Sequence, residues 1–170
     1  MNQAESERDW TNLIPLEIIV QPQQRDAYWW HFWFLGLARY VSTASKDPST
    51  QCGAVIVNDQ RRIVSVGYNG LPRQVADLPE RLNIRCIKYK MIVHAECNAI
   101  IFAQTELKHC TLYNWPMIPC SHCAGMIIQS GISRCVAPTN SNPRWQEDIH
   151  ISKQMFKEAN VELIEIANLL

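Results

Sequence analysis

His94-Ala95-Glu96-Cys97-Asn98-Ala99-Ile100 and Pro119-Cys120-Ser121-His122-Cys123 are the two stretches on which the reading of this chain turns. Ala95 to Gln104 has helical composition: Ala95, Ala99, Ile100, Phe102 and Ala103 are good formers or core residues. His94 and Glu96 then fall in the first turn of that helix. Pro119 opens a second run, Ser121 to Ser130, which stops at Gly131. Proline at a helix start and glycine past its end is the expected asymmetry. Two helix N-termini are therefore predicted to converge on one point. Their positive ends favour thiolate over thiol at Cys120 and Cys123.

The donor atoms say what belongs at that point. One imidazole (His94) and two thiolates (Cys120, Cys123) suit a tetrahedral zinc whose fourth position stays open, the catalytic rather than the structural pattern. Such a zinc lowers the pKa of its water to about 7. Glu96 need not be a ligand and is the candidate catalytic group, placed to move protons beside the metal. Cys-x-x-Cys alone also reads as a redox pair or half of a structural zinc site. A redox pair leaves His94 and Glu96 without a task. A four-cysteine site needs a second close pair, and Cys52, Cys86, Cys97, Cys110 and Cys135 are not spaced as one.

Outward from this core, Cys52-Gly53-Ala54-Val55-Ile56-Val57 reads as a buried strand. Arg61 to Tyr68 is its hairpin partner, with β-branched Ile63, Val64 and Val66. Further strands are expected near Thr111–Asn114, Arg134–Ala137 and Val161–Ile166. Helical spacing runs from Arg25 to about Ala44 and from Trp145 to Asn160. Ser45 to Thr50 is a turn-rich loop, and Pro138 to Pro143 a polar one. Leu71 to Ile92 lacks period-2 alternation and reads as an active-site or regulatory flap. This order predicts an α/β chain, a mixed sheet between helical layers. Residues 1–24 read as an extended N-terminal arm and 25–170 as one domain. The aromatic run Tyr28-Trp29-Trp30-His31-Phe32-Trp33-Phe34 is either a core- or subunit-facing helix or a base-stacking platform.

The 170 residues fit one domain with a substantial core. Sixteen Lys+Arg balance sixteen Asp+Glu. That argues against a protein that tracks nucleic-acid backbones, which carries a basic face. A small phosphorylated substrate needs only a few local donors and stays open. Seven cysteines without a leader-like segment point to a reducing cytoplasm. No apolar run approaches the ~18 residues of a membrane span.

The motifs together resemble one family. H-x-E…P-C-x-x-C is the signature of zinc nucleobase deaminases. With Ser45-Lys46-Asp47-Pro48-Ser49-Thr50, Gly67-Tyr68-Asn69-Gly70-Leu71-Pro72 and Ile127-Ile128-Gln129-Ser130-Gly131-Ile132, the chain is similar to deoxycytidylate (dCMP) deaminases of the cytidine deaminase superfamily, over roughly residues 28 to 166. The resemblance implies a three-layer α/β/α domain with a five-stranded mixed sheet. It implies hydrolysis of dCMP to dUMP and ammonia, feeding thymidylate synthesis. It implies a hexamer activated by dCTP and inhibited by dTTP, with Mg²⁺ accompanying the nucleotide. Glu96 is then the acid/base. Substrate contacts are implied at Asn69 (sugar), at Ala54 (backbone groups to the pyrimidine edge), at Ser49 and Thr50 (5′-phosphate) and at Pro119.

Each of these contacts has a plainer alternative. Asn69 is also a turn residue beside Gly70, Ala54 a small residue at a tight strand start, and Ser45–Thr50 an Asp-Pro turn. Arg73, Arg85 and Lys88 are either phosphate contacts or solvated charges. The chain departs from the family pattern at Gln74, where the family often has glycine. It also departs in Asn114-Trp115-Pro116-Met117-Ile118, which is one residue longer than the usual segment and suggests a bulge. There Trp115 or Ile118 is expected to line the base pocket. Rival readings are a deaminase of dCTP, cytidine or tRNA adenosine, and a non-catalytic nucleotide-binding protein with structural zinc.

Overall fold

A computed structural model describes residues 25–167; the expected N-terminal arm lies outside the described residues. Five strands form one sheet: β1 (Gly53–Val57), β2 (Ile63–Tyr68), β3 (Thr111–Trp115), β4 (Arg134–Pro138) and β5 (Glu162–Ile166), in the spatial order β2-β1-β3-β4-β5. The β1 strand runs antiparallel to β2 and β3, whereas β3, β4 and β5 are mutually parallel. The parallel pairs need crossovers, and helices supply them. Helix α5 (Ser121–Gln129) links β3 to β4, and α6 (Gln146–Glu158), entered through a short 3₁₀ turn at Pro143–Trp145, links β4 to β5.

Side-chain alternation divides the core into two faces. Val55, Val57, Tyr113, Val136 and Ile166 meet Phe34, Leu35 and Ala38 of α1 (Ala27–Ser42). Ala54, Ile56, Leu112 and Cys135 meet Ala95 and Ala99 of α4 (Ala95–Ala103), Ala124 and Ile127 of α5 and Phe156 of α6. The result is the expected three layers, with the central strands buried on both sides. Helix α1 is capped by Asp26, whose Oδ1 accepts from the Trp29 amide at 2.7 Å. Its aromatic run is core and surface rather than a stacking platform: Phe34 is buried, Tyr28 and Trp33 are exposed, and none lines the main cavity.

Two glycines let helices lie close on the sheet. A Cβ on Gly53 would stand 2.1 Å from the Ala38 carbonyl of α1, and one on Gly67 2.3 Å from the Ala95 carbonyl of α4. Any side chain at Gly67 would push away the helix turn that carries Glu96.

Two expectations need revision. The 71–92 segment, expected as an active-site or regulatory flap, supplies Lys88, Tyr89 and Ile92 to the cavity that holds Glu96, but it contains α2 (Pro79–Asn83) and α3 (Arg85–Met91), and its missing period-2 pattern reflects helix. Pro79 starts α2 with the φ that a first helical position requires. The extra residue after Tyr113 makes no bulge in β3, which pairs with β1 without a break from Thr111 to Trp115. The Trp115-Pro116 bond that follows the strand is cis. The register shift of the sheet lies instead between Ile56 and Val57, against β2.

Candidate active site

The site sits where strand ends meet helix starts. Gly53 pairs with both Tyr68 and Trp115, so the start of β1 and the ends of β2 and β3 share one edge. Ligands in open α/β folds bind at such an edge, outside the carboxyl ends of parallel strands. His94 is the N-cap residue of α4, and Cys120 that of α5. Asn98 fixes α4 to the edge by donating to the Tyr68 carbonyl at 2.8 Å. Asp148 of α6 fixes α5 by accepting from the Ser121 hydroxyl at 2.6 Å and its amide at 3.2 Å.

The three predicted ligands are brought together. His94 Nδ1 lies 3.4 Å from Cys120 Sγ and 3.3 Å from Cys123 Sγ, and all three donor atoms lie within 4.8 Å of one another. Zinc at ~2.3 Å from sulfur and ~2.05 Å from nitrogen, with tetrahedral angles, puts N and S about 3.5 Å apart. The donors are thus spaced as a shared zinc requires. Zinc would be held by His94 Nδ1 and the two sulfurs, and would supply a water acidic enough to ionise near neutral pH. The hydrogen bond with Cys120 holds His94 up at about 9, against the pull of burial. Its neighbour Cys123 is the main reason that the Cys120 thiol falls to about 4. Contact with Cys120 and Cys97, and then burial, pushes the Cys123 thiol upward.

Glu96 is 4% exposed and lines the same cavity as His94 and Cys120. Burial raises its carboxyl above the ordinary range, with His94 opposing the shift. Asn114 of β3 holds it, donating from Nδ2 to Glu96 Oε1 at 3.1 Å and to the Met117 carbonyl at 2.8 Å.

At the other end of the cavity the predicted substrate contacts are differently disposed. Asn69, Ser49 and Thr50 line it; Ala54 and Pro119 are fully buried and do not. Cys52, two residues before Ala54, lines it instead. The Asn69 amide already spans the loop: Oδ1 accepts from the Cys52 amide at 2.7 Å, and Nδ2 donates to the Thr50 carbonyl at 2.9 Å. The amides of Ser49 and Thr50 do not form an open anion cradle, because both donate to Asp47 Oδ1, at 2.8 and 3.2 Å. Asp47 also accepts from Lys88 Nζ at 2.8 Å, and Lys88 reaches the Ser49 hydroxyl as well. Burial alone would raise the Asp47 carboxyl, but Lys88 and the Ser49 and Thr50 donors outweigh it and hold it below the usual range.

Lys88 is therefore no solvated charge: its side chain is 6% exposed. Arg73 leaves the site and stacks on Phe102 at 4.4 Å. Ile118 lines the cavity, as does Met117, whereas Trp115 packs with the α1 core under Arg39. Asn114 and the Lys88–Asp47 pair escape sequence reasoning. The available signal is an asparagine inside an otherwise apolar strand, where its β-propensity is poor.

The same architecture occurs in known proteins. The dCMP deaminase from the cyanophage S-TIM5, solved in complex with dCMP and dUMP, superposes with a TM-score of 0.62 over 78% of this chain and 93% of its own, at 22% identity. The chain thus shares the fold of that protein. In sequence, the model described as "Cytidine and deoxycytidylate deaminase zinc-binding region" matches residues 29–139. An "Uncharacterized deaminase in luxG 3'region" of Aliivibrio fischeri is 44% identical over 137 residues, 79% of this chain and 91% of that one. Human deoxycytidylate deaminase is 40% identical over 124 residues, 69% of each chain. The chain belongs to the cytidine and deoxycytidylate deaminase family.

Proposed function

We propose that residues 25–170 form one catalytic domain that hydrolyses dCMP to dUMP and ammonia with zinc at His94, Cys120 and Cys123. The observation that carries this reading is the buried Glu96 carboxyl in one cavity with His94 and Cys120, whose donor atoms converge with that of the buried Cys123. Glu96 would take one proton from the attacking water and pass it to ring N3, then take the remaining proton from the new C4 hydroxyl and give it to the amine, which leaves as ammonia while C4 becomes a carbonyl. A positioned acid/base of this kind contributes about 10²–10⁴-fold. Family membership and the curated deoxycytidylate deaminase relatives support the substrate.

A monophosphate also suits the far end. Next to Ser49 and Lys88 an adjoining depression is lined by Arg85, Tyr89 and Arg144. Both guanidiniums stack on the Tyr89 ring, at 5.2 and 5.6 Å, and neither has a carboxylate partner among the described residues. Asn69, Ser49 and Thr50 would then shape the sugar side of the pocket, with Ala54 and Pro119 backing it from beneath.

The same reading makes dUMP a feed for thymidylate synthesis, dCTP with Mg²⁺ the activator, dTTP the inhibitor, a hexamer the assembly and the cytoplasm the compartment. These finer points rest on the family resemblance. No helix among the described residues is long and apolar enough to cross a membrane. The test offers zinc-loaded protein dCMP, dCTP, cytidine and an RNA hairpin and follows ammonia release. Conversion of dCMP alone is expected; inert dCMP with a converted hairpin overturns the substrate.

A further inference from the structure

Asn114 carries an acceptor that nothing in the structure uses. Its side chain is among the fully buried ones, with the residue 2% exposed, and it lines the cavity beside Glu96. Both amide hydrogens are engaged, one on Glu96 Oε1 at 3.1 Å and the other on the Met117 carbonyl at 2.8 Å. The Met117 carbonyl can only accept, so the amide has one orientation. Among the described residues Oδ1 has no hydrogen-bond partner. A buried acceptor without a donor loses its hydration with nothing in return, and native proteins hold few.

Its position names the missing donor. Glu96 serves C4 chemistry, and the group attached to C4 of cytosine is an amine with two N–H donors. After hydrolysis the same position carries a carbonyl, which offers lone pairs only. We propose that Asn114 reads the group at C4: Oδ1 accepts from the 4-amino group of the substrate and opposes the 4-oxo group of the product, while Nδ2 aims Glu96. This rests on the cytosine-nucleotide reading above. One side chain then links recognition, proton transfer and product expulsion, and no covalent step is added to the reaction.

Opposing roles at Oδ1 predict effects of opposite sign. In the zinc-loaded full chain, Asn114→Ala and the near-isosteric Asn114→Leu are each compared with wild type. Zinc content and melting temperature establish that metal and fold are retained, and the second variant guards against collapse of the first. Turnover gives kcat/KM for dCMP, and calorimetry gives Kd for dUMP, which does not react. The expected result is a fall in kcat/KM together with dUMP binding tighter by about fivefold, the worth of one ordinary hydrogen-bonding mismatch. Loosening of the pocket would weaken dUMP instead, and a role confined to aiming Glu96 would leave it unchanged. Either of these, in variants of an active wild type, overturns the inference while the substrate reading stands. A wild type that neither converts dCMP nor binds dUMP overturns both.

Discussion

At one end of the cavity His94, Cys120 and Cys123 turn their donor atoms on a common point and meet one another only loosely, at 3.3–3.4 Å. At the other end Lys88, Asp47, Ser49, Thr50 and Asn69 are turned on each other and use up most of their hydrogen-bonding capacity. The first end is a set of donor atoms spaced as a shared cation requires. The second is complete without any ligand and holds the 45–52 loop, β2 and α3 in register. Buried polar groups that satisfy one another build walls; those left unsatisfied are where chemistry enters.

Removing Glu96 breaks the metal end hardest. Glu96→Gln should lower dCMP turnover by about 10²–10⁴-fold. It should leave stoichiometric zinc, because the three donors remain; elemental analysis beside an ammonia assay checks both. A variant that keeps most of its activity with metal bound would end the distinction between the two ends.

Lys88→Met attacks the other end. It leaves the Asp47 carboxylate buried and alone, a change that costs about 3–5 kcal/mol for deeply buried pairs. This pair borders a cavity, so the lower part of that range is expected, read as a shift of the urea midpoint. Because the folded Asp47 pKa is depressed, its contribution exists above the ordinary carboxylate pKa of ~3.9 and fades as pH falls through the lower folded value. The gap between wild type and Lys88→Met should therefore shrink in acid. A variant as stable as wild type at neutral pH would show that the pair is not structural.

Proton competition sharpens the comparison. His94 and Cys123 are held toward their protonated forms and must lose protons to bind zinc, whereas contact with Cys123 and His94 favours the thiolate at Cys120. Protons thus oppose the metal, so zinc affinity should rise with pH by about tenfold per unit for each proton released. Calorimetry in buffers of different ionisation enthalpy counts those protons. A flat affinity between pH 6 and 8 would contradict the protonated metal-free site.

Arg144→Ala should have the smallest effect. A partly solvated charge contact is worth at most about 1 kcal/mol. The expected outcome is KM for dCMP up to about fivefold higher, with kcat unchanged and cytidine unaffected. An equal effect on cytidine would remove the phosphate from this corner.

The order of strands and helices from β1 to β5 was legible because each element announces itself locally. Gly131 ends one helix, Pro119 opens it, and β-branched residues fill β1 and β2. Residues 71–92 were not legible as helix, because α2 and α3 are short and present few apolar positions of their own. The three residues whose donor atoms converge, and Glu96 beside them, could be named from the chain alone. Their roles follow from donor chemistry, and their convergence from two helix starts only a few residues long. Tertiary structure alone decided the rest: that Lys88 meets Asp47 across 41 positions, that Asn114 grips Glu96, and that Ala54 lies beneath the pocket rather than in it. Such pairings depend on how strand ends and loops stack at one edge of the sheet. That is set by the packing of the whole core, and no short stretch of sequence encodes it.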